Sequence, residues 1–139
     1  MSTSDLSSLV RKFEITSDTV FTVRHAPPDF AATMGDIGDA IWQHSLLAPL
    51  DVVITFHRLQ QTLVPELPRV TESLAPDGRV WIAWPRSTGE LNETFVKRAL
   101  DRAGFNNDKA CNIDDEWTAL RFVRRPVTLR PKDAAKRKR

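Results

Sequence analysis

Few side chains in this sequence can hold an ion or move a proton: three histidines, one cysteine, and short clusters of acidic residues and arginines. His25 follows the run Val20–Val23, His44 follows Ala40–Trp42, His57 and Arg58 follow Val52–Phe56, and Trp84 and Arg86 close the run from Val80. Imidazole is a good metal ligand at neutral pH, and a guanidinium matches carboxylate or phosphate. His25, His57, Arg58, Trp84 and Arg86 are therefore the candidate ligand-binding residues. The sharpest form of that reading is a small anion or metal site made by His25, His57 and Arg86. The plainer reading, that strand ends are simply where chains turn polar, is preferred. Metal-ligand spacing of the HExxH kind is absent and a single cysteine cannot build a zinc cluster, so no metal site is expected. No motif pairs a nucleophile with a base, so no catalytic residue is assigned.

Two further features have a chemical and a structural reading. Asp114, Asp115 and Glu116 stand beside Trp117. They could share a proton or hold a divalent cation, but acidic residues also solvate turns, and the turn is preferred. Cys111 has no base near it in sequence and reads as a small buried apolar residue. Trp81 and Trp84, three apart on a strand, must point to opposite faces; one packs under a helix and the other could cover part of the strand-end crevice, with core packing preferred for both.

The stretch from Asp51 to Arg86 positions these residues. Val52, Val53, Ile54 and Phe56 form a β-branched run, and Val80–Trp84 form another, as in strands covered on both faces. Between them Leu63, Leu67, Val70 and Leu74 recur at helical spacing. Pro65 and Pro68 interrupt that helix, with a kink or restart expected near Pro65, and Pro76, Asp77 and Gly78 supply a turn. A strand–helix–strand unit of this kind implies a parallel pairing. Upstream, Leu6, Leu9, Val10 and Phe13 predict a short helix from Ser4 or Asp5. A first strand over Val20–Val23 follows, then a helix with Pro28 in its first turn running through Met34. Ala40–Trp42 is either a very short strand or irregular edge structure. Downstream, Asn92 caps a helix that Gly104 closes, and Ala110–Ile113 with Leu120–Val123 form an antiparallel hairpin. The expected fold is three-layer α/β, a mostly parallel twisted sheet with helices on both faces and a C-terminal antiparallel hairpin.

At 139 residues, 41% hydrophobic and 27% charged, the chain has the composition of one soluble globular domain. The net charge of +2 hides an asymmetry. Residues 124–139 carry eight Lys/Arg against one Asp, a net +7, and the rest carry twelve Lys/Arg against seventeen Asp/Glu, a net −5. We divide the chain into a domain over 1–125 and a basic tail over 126–139. Arg130, Lys132, Lys136, Arg137, Lys138 and Arg139 make the tail a candidate for weak, non-specific, salt-dependent nucleic-acid binding or for a partner. No aromatic residue interleaves with these charges, so base stacking is not supported, and solubility or contact with the acidic body is preferred. No apolar run spans a bilayer and no signal peptide is visible, so a cytoplasmic protein with no membrane contact is expected.

The segments LVRKFEI, HAPPDF, DVVITF, LAPDGRVWIAWPR and DDEWTALRFVRR, spread over roughly Leu9–Arg125, resemble a family of small bacterial proteins known as domain of unknown function 3052. The ordering LAPDGRVWIAWP, then a helix ending RALDRAGF, then the hairpin, resembles the second half of class I methyltransferases. The resemblance implies a methyltransferase-like, Rossmann-like sheet and brings no established activity. True methyltransferases cradle their cofactor on a glycine-rich turn after the first strand, where backbone must approach the ligand closely. Here that turn is HAPPDF, and Gln43, His44 and Ser45 stand where an acidic ribose ligand would follow the second strand. No cofactor is therefore expected. The favoured reading is a non-catalytic methyltransferase-like domain that binds a protein or small-molecule partner. The alternative is an enzyme working at the strand-end crevice, including a divergent S-adenosylmethionine-dependent methyltransferase.

Overall fold

The computed structural model describes residues 8–47, 49–87 and 89–125. The tail residues singled out above, Arg130, Lys132, Lys136, Arg137, Lys138 and Arg139, and the helix start at Ser4 or Asp5, lie outside the described residues. The elements in chain order are α1 (Ser8–Lys12), β1 (Val20–Arg24), α2 (Phe30–Met34), β2 (Ile41–Trp42), β3 (Leu50–Phe56), α3 (Gln60–Ser73), β4 (Leu74–Pro85), α4 (Glu93–Arg102), β5 (Phe105–Asn112) and β6 (Trp117–Arg124). The six strands make one sheet in the order β2-β1-β3-β4-β6-β5. The first three pairings are parallel and the last two antiparallel, so β6 alone runs against the sheet.

The two apolar faces of the sheet are covered separately, which gives three layers. Val52, Ile54, Phe56, Trp81, Ala83 and Trp117 pack with Leu9 and Val10 of α1 and Phe30 and Met34 of α2. Val53, Val80, Ile82, Trp84, Leu120 and Phe122 pack with Leu63, Leu67 and Val70 of α3 and Val96 and Leu100 of α4. Alternate residues of β3 and β4 go to opposite clusters, as the period of two requires. Val52, Val53 and Ile54 are fully buried, each worth roughly 1.5–3 kcal/mol relative to exposure. Trp81 and Trp84 accordingly belong to different faces.

Several local expectations are corrected. The helix does not restart at Pro65; α3 is continuous through both Pro65 and Pro68. Both prolines lie on the exposed side, where water can satisfy the carbonyls their missing N–H groups leave free. Pro28 precedes α2 rather than occupying its first turn, since the helix begins at Phe30. Pro76, Asp77 and Gly78 do not separate helix from strand but form a bulge within β4. Leu74 pairs with Leu50, the register then shifts, and pairing resumes at Arg79 and Val52. A Cβ on Gly78 would lie 2.6 Å from Leu74 Cγ, so the bulge closes on itself through this glycine. The edge strand β2 is the two-residue Ile41–Trp42, without Ala40. The hairpin strands are longer than their apolar residues indicate, because polar residues 106–109 of β5 lie exposed along the sheet edge.

The helix α4 follows its sequence signals. The Asn92 side chain accepts the Phe95 N–H at 2.8 Å, and Gly104 follows the helix with φ +94°, the left-handed conformation that ends it. Arg121 on β6 donates to Asp108 and to Glu14, and Lys109 also pairs with Glu14, so the segment after α1 is tied to the hairpin. No described helix is long and apolar enough to cross a membrane.

Candidate functional site

The strand order places a crevice where the chain changes direction across the sheet. From β1 the chain passes by α2 to β2 on one side. From β3 it passes by α3 to β4 on the other. α2 and α3 cover opposite faces, so the carboxyl ends of the adjacent strands β1 and β3 are left uncapped by either helix. In open α/β sheets this switch point is where ligands bind. A cavity of about 420 Å³ opens there, lined among others by His25, Pro27, Phe56, His57, Thr62 and Trp117.

His25 is the residue immediately after β1, and it adopts φ +58°. A left-handed backbone of the kind glycine usually takes carries a side chain here. Such a conformation costs a non-glycine residue about 1–3 kcal/mol and persists only where surrounding structure enforces it. The imidazole is half exposed, with Nε2 3.5 Å from Glu66 Oε2 and its ring centroid 5.3 Å from that of His57.

His57 follows β3 and is buried, 3% exposed. Its two ring nitrogens are held by threonines: Nε2 lies 2.8 Å from Thr55 Oγ1 and Nδ1 3.0 Å from Thr62 Oγ1. The Thr62 hydroxyl proton goes to the Leu59 carbonyl at 2.9 Å. Thr62 must then accept from Nδ1–H, and with the ring neutral the Thr55 hydroxyl donates to the lone pair on Nε2. Burial, and after it the neighbouring His25 charge, push the His57 pKa from 6.5 down to about 4.

Glu66 on α3 completes the group. It is 5% exposed and takes the Arg24 guanidinium, Nε to Oε2 at 2.7 Å and an Nη to Oε1 at 3.3 Å. Burial alone would raise its pKa, but the hydrogen bonds and charge of Arg24, with His25 adding to them, hold it below the usual carboxylate range. Ligand atoms of His25, His57 and Glu66 all lie within 4.8 Å of one another.

The remaining candidates divide. Arg58 lines the pocket, donates to Glu116 at 3.1 Å and lies 4.8 Å above the Trp117 ring. Arg86 is not brought to the cluster: its guanidinium donates to the carbonyls of Asp115 and of Asp114, the latter at 2.7 Å. Trp84 is buried under α3 and α4 on the opposite face and does not line the pocket. His44 stacks on Trp42 at 5.8 Å, outside the pocket. Asp114 Oδ1 accepts the backbone N–H groups of Glu116 and Trp117, both at 2.8 Å, so this aspartate shapes the hairpin turn. Cys111 is buried, and burial raises its thiol pKa. Glu66, Thr55 and Thr62 were not singled out from sequence. Glu66 falls on the inward stripe of α3 with Leu63, Leu67 and Val70, and a carboxylate on an apolar stripe is the signal that would have marked it.

A larger groove of about 530 Å³ runs between α3 and α4, bordered by Val64, Leu67, Pro68, Phe95, Ala99 and Ala103. It lies on a helical face away from the strand ends, and no histidine borders it.

The profile of a family described as protein of unknown function (DUF3052) matches residues 12–126. No curated protein matches the chain. Among solved structures, the chain is similar to a SAM-dependent methyltransferase from Aquifex aeolicus, at 11% identity and a TM-score of 0.60 over 84% of this chain and 87% of that one. It is also similar to the N-methyltransferase NodS from Bradyrhizobium japonicum, at 11% identity and a TM-score of 0.58 over 86% and 94%. A third is the Burkholderia thailandensis 1,6-didemethyltoxoflavin-N1-methyltransferase, whose structure holds S-adenosylhomocysteine. It matches at 14% identity and a TM-score of 0.54 over 78% and 72%. At these identities the likeness is one of fold: a six-stranded α/β sheet of the Rossmann-like methyltransferase type.

Proposed function

This chain belongs to the family described as protein of unknown function (DUF3052), and on that footing we propose that it is a non-catalytic methyltransferase-like domain whose strand-end pocket binds a small ligand or a partner's side chain. The observation that carries this reading is His25 at φ +58° immediately after β1. A glycine there leaves room for backbone to approach a cofactor; the His25 imidazole instead stands toward Glu66. The pocket beside it is mostly apolar in its lining, with a few convergent polar groups, which is the usual make-up of a small-ligand site.

The test is a thermal-shift series with nucleotides, sugar phosphates and dicarboxylates on the full chain and on an Ala26→Trp variant, since Ala26 is exposed and lines the pocket. A probe at 100 times its dissociation constant stabilises the chain by about 2.7 kcal/mol and loses that effect in the variant. Failure of every probe, or equal stabilisation of both forms, overturns the reading.

The second reading, a divergent S-adenosylmethionine-dependent enzyme, draws its support from the methyltransferase folds the chain resembles. Fold alone does not carry an activity. We assign the protein to the cytoplasm. The division into a domain over 1–125 and a basic tail over 126–139 is part of the same proposal. The tail's proposed role is solubility or contact with the acidic body, ahead of weak nucleic-acid binding. Anisotropy with DNA across ionic strength, on the full chain and a form ending at Arg125, separates these: tight binding that survives high salt would contradict the ranking.

A further inference from the structure

We propose that His25, His57 and Glu66 form a binding site for a divalent transition-metal ion of the zinc class at the carboxyl ends of β1 and β3. The inference rests on the strand-end pocket being a ligand site, and it names one occupant. Three elements deliver the donors: the residue after β1, the residue after β3, and the inward stripe of α3. Their ligand atoms lie within 4.8 Å of one another, whereas tetrahedral zinc with bonds of about 2.0–2.2 Å sets its donors about 3.3 Å apart. Small side-chain rotations close that difference, and His25, half exposed, is free to make them.

Two nitrogens and one carboxylate oxygen are a donor set suited to zinc and its neighbours rather than to calcium or magnesium, which prefer oxygen. The shell behind the donors is already arranged. Thr62, held by the Leu59 carbonyl, takes the proton of His57 Nδ1, which leaves the lone pair on Nε2. A second hydrogen bond that fixes the tautomer in this way is what metal-bound histidines show. The metal would take the Nε2 lone pair in place of the Thr55 hydroxyl. Arg24 engages both oxygens of the Glu66 carboxylate and fixes its plane, and the same Oε2 that takes the Arg24 Nε–H also faces His25, with a second lone pair for a metal. The Arg24 charge opposes a second cation, so binding is weaker than at structural zinc sites. Three protein donors leave a fourth position toward the pocket, where a ligand atom or water can coordinate.

The experiment is calorimetric titration of the chelator-treated full chain with Zn²⁺, together with the visible spectrum of the Co²⁺-substituted protein. One Zn²⁺ per chain binds, and Co²⁺ gives the absorption of a four- or five-coordinate nitrogen–oxygen site. His25→Asn, chosen because asparagine tolerates the left-handed backbone, weakens Zn²⁺ at least tenfold with an unchanged circular dichroism spectrum. Glu66→Gln does the same, and His44→Asn leaves binding intact. No stoichiometric binding, or binding that survives both His25→Asn and Glu66→Gln, overturns the inference. If Zn²⁺ fails while an organic probe still stabilises the natural chain and not Ala26→Trp, the metal inference falls and the pocket reading stands. If both fail, both fall.

Discussion

His57 concentrates the unusual chemistry of this chain at one residue. It is buried and neutral, with both ring nitrogens held by threonines. The folded chain protonates it only near pH 4, while the unfolded chain takes up that proton near 6.5. Between those values the unfolded state binds more protons, so stability is complete above about pH 6.5 and falls as pH drops toward 4. The loss is up to about 3 kcal/mol. Urea denaturation of the chelator-treated protein across this window will show that decline, and His57→Gln will flatten it; parallel curves for the two forms would contradict the assignment. His25 and His57 were legible in the sequence because each follows an apolar run that ends a strand. Glu66 was not, since a single glutamate between Pro65 and Leu67 looks like the solvent side of a helix until the stripe is drawn through it. Arg86 misled for the opposite reason: it stands at a strand end, but two carbonyls of the hairpin turn consume its guanidinium.

The βαβ unit of β3, α3 and β4 was readable from its two β-branched runs and the helical spacing between them, because burial on both faces leaves no alternative to apolar residues. What the spacing could not convey was how the chain passes from α3 into β4. Pro76, Asp77 and Gly78 read as a turn by composition, but Leu74 already pairs with β3, so they become a bulge inside one strand. Gly78 is the residue this geometry depends on. In Gly78→Ala the new methyl meets Leu74 Cγ and Cδ1 and the Ala75 carbonyl, the first two on a buried side chain and the third on backbone. The expected cost is about 1–3 kcal/mol by chemical denaturation. A variant as stable as the natural chain would mean the bulge opens freely. The edge strand β2 was hard to read because two residues pairing with one neighbour leave no periodicity to detect.

At the scale of the whole molecule, the sheet order decides where a ligand can sit, and the residues at that place decide which. The order β2-β1-β3-β4 puts the reversal between β1 and β3, and the methyltransferases that share the fold are similar over most of this chain's length. At that place this chain puts a histidine with a left-handed backbone after β1, two prolines behind it, and a His-His-Glu group beneath. On the function proposed here, this chain uses the fold's ligand position without methyl-donor chemistry. Calorimetric titration of the full chain with S-adenosylmethionine tests it most directly. We expect no binding tighter than about 100 μM, which corresponds to roughly −5.5 kcal/mol; saturable binding with one S-adenosylmethionine per chain below that concentration would contradict the account.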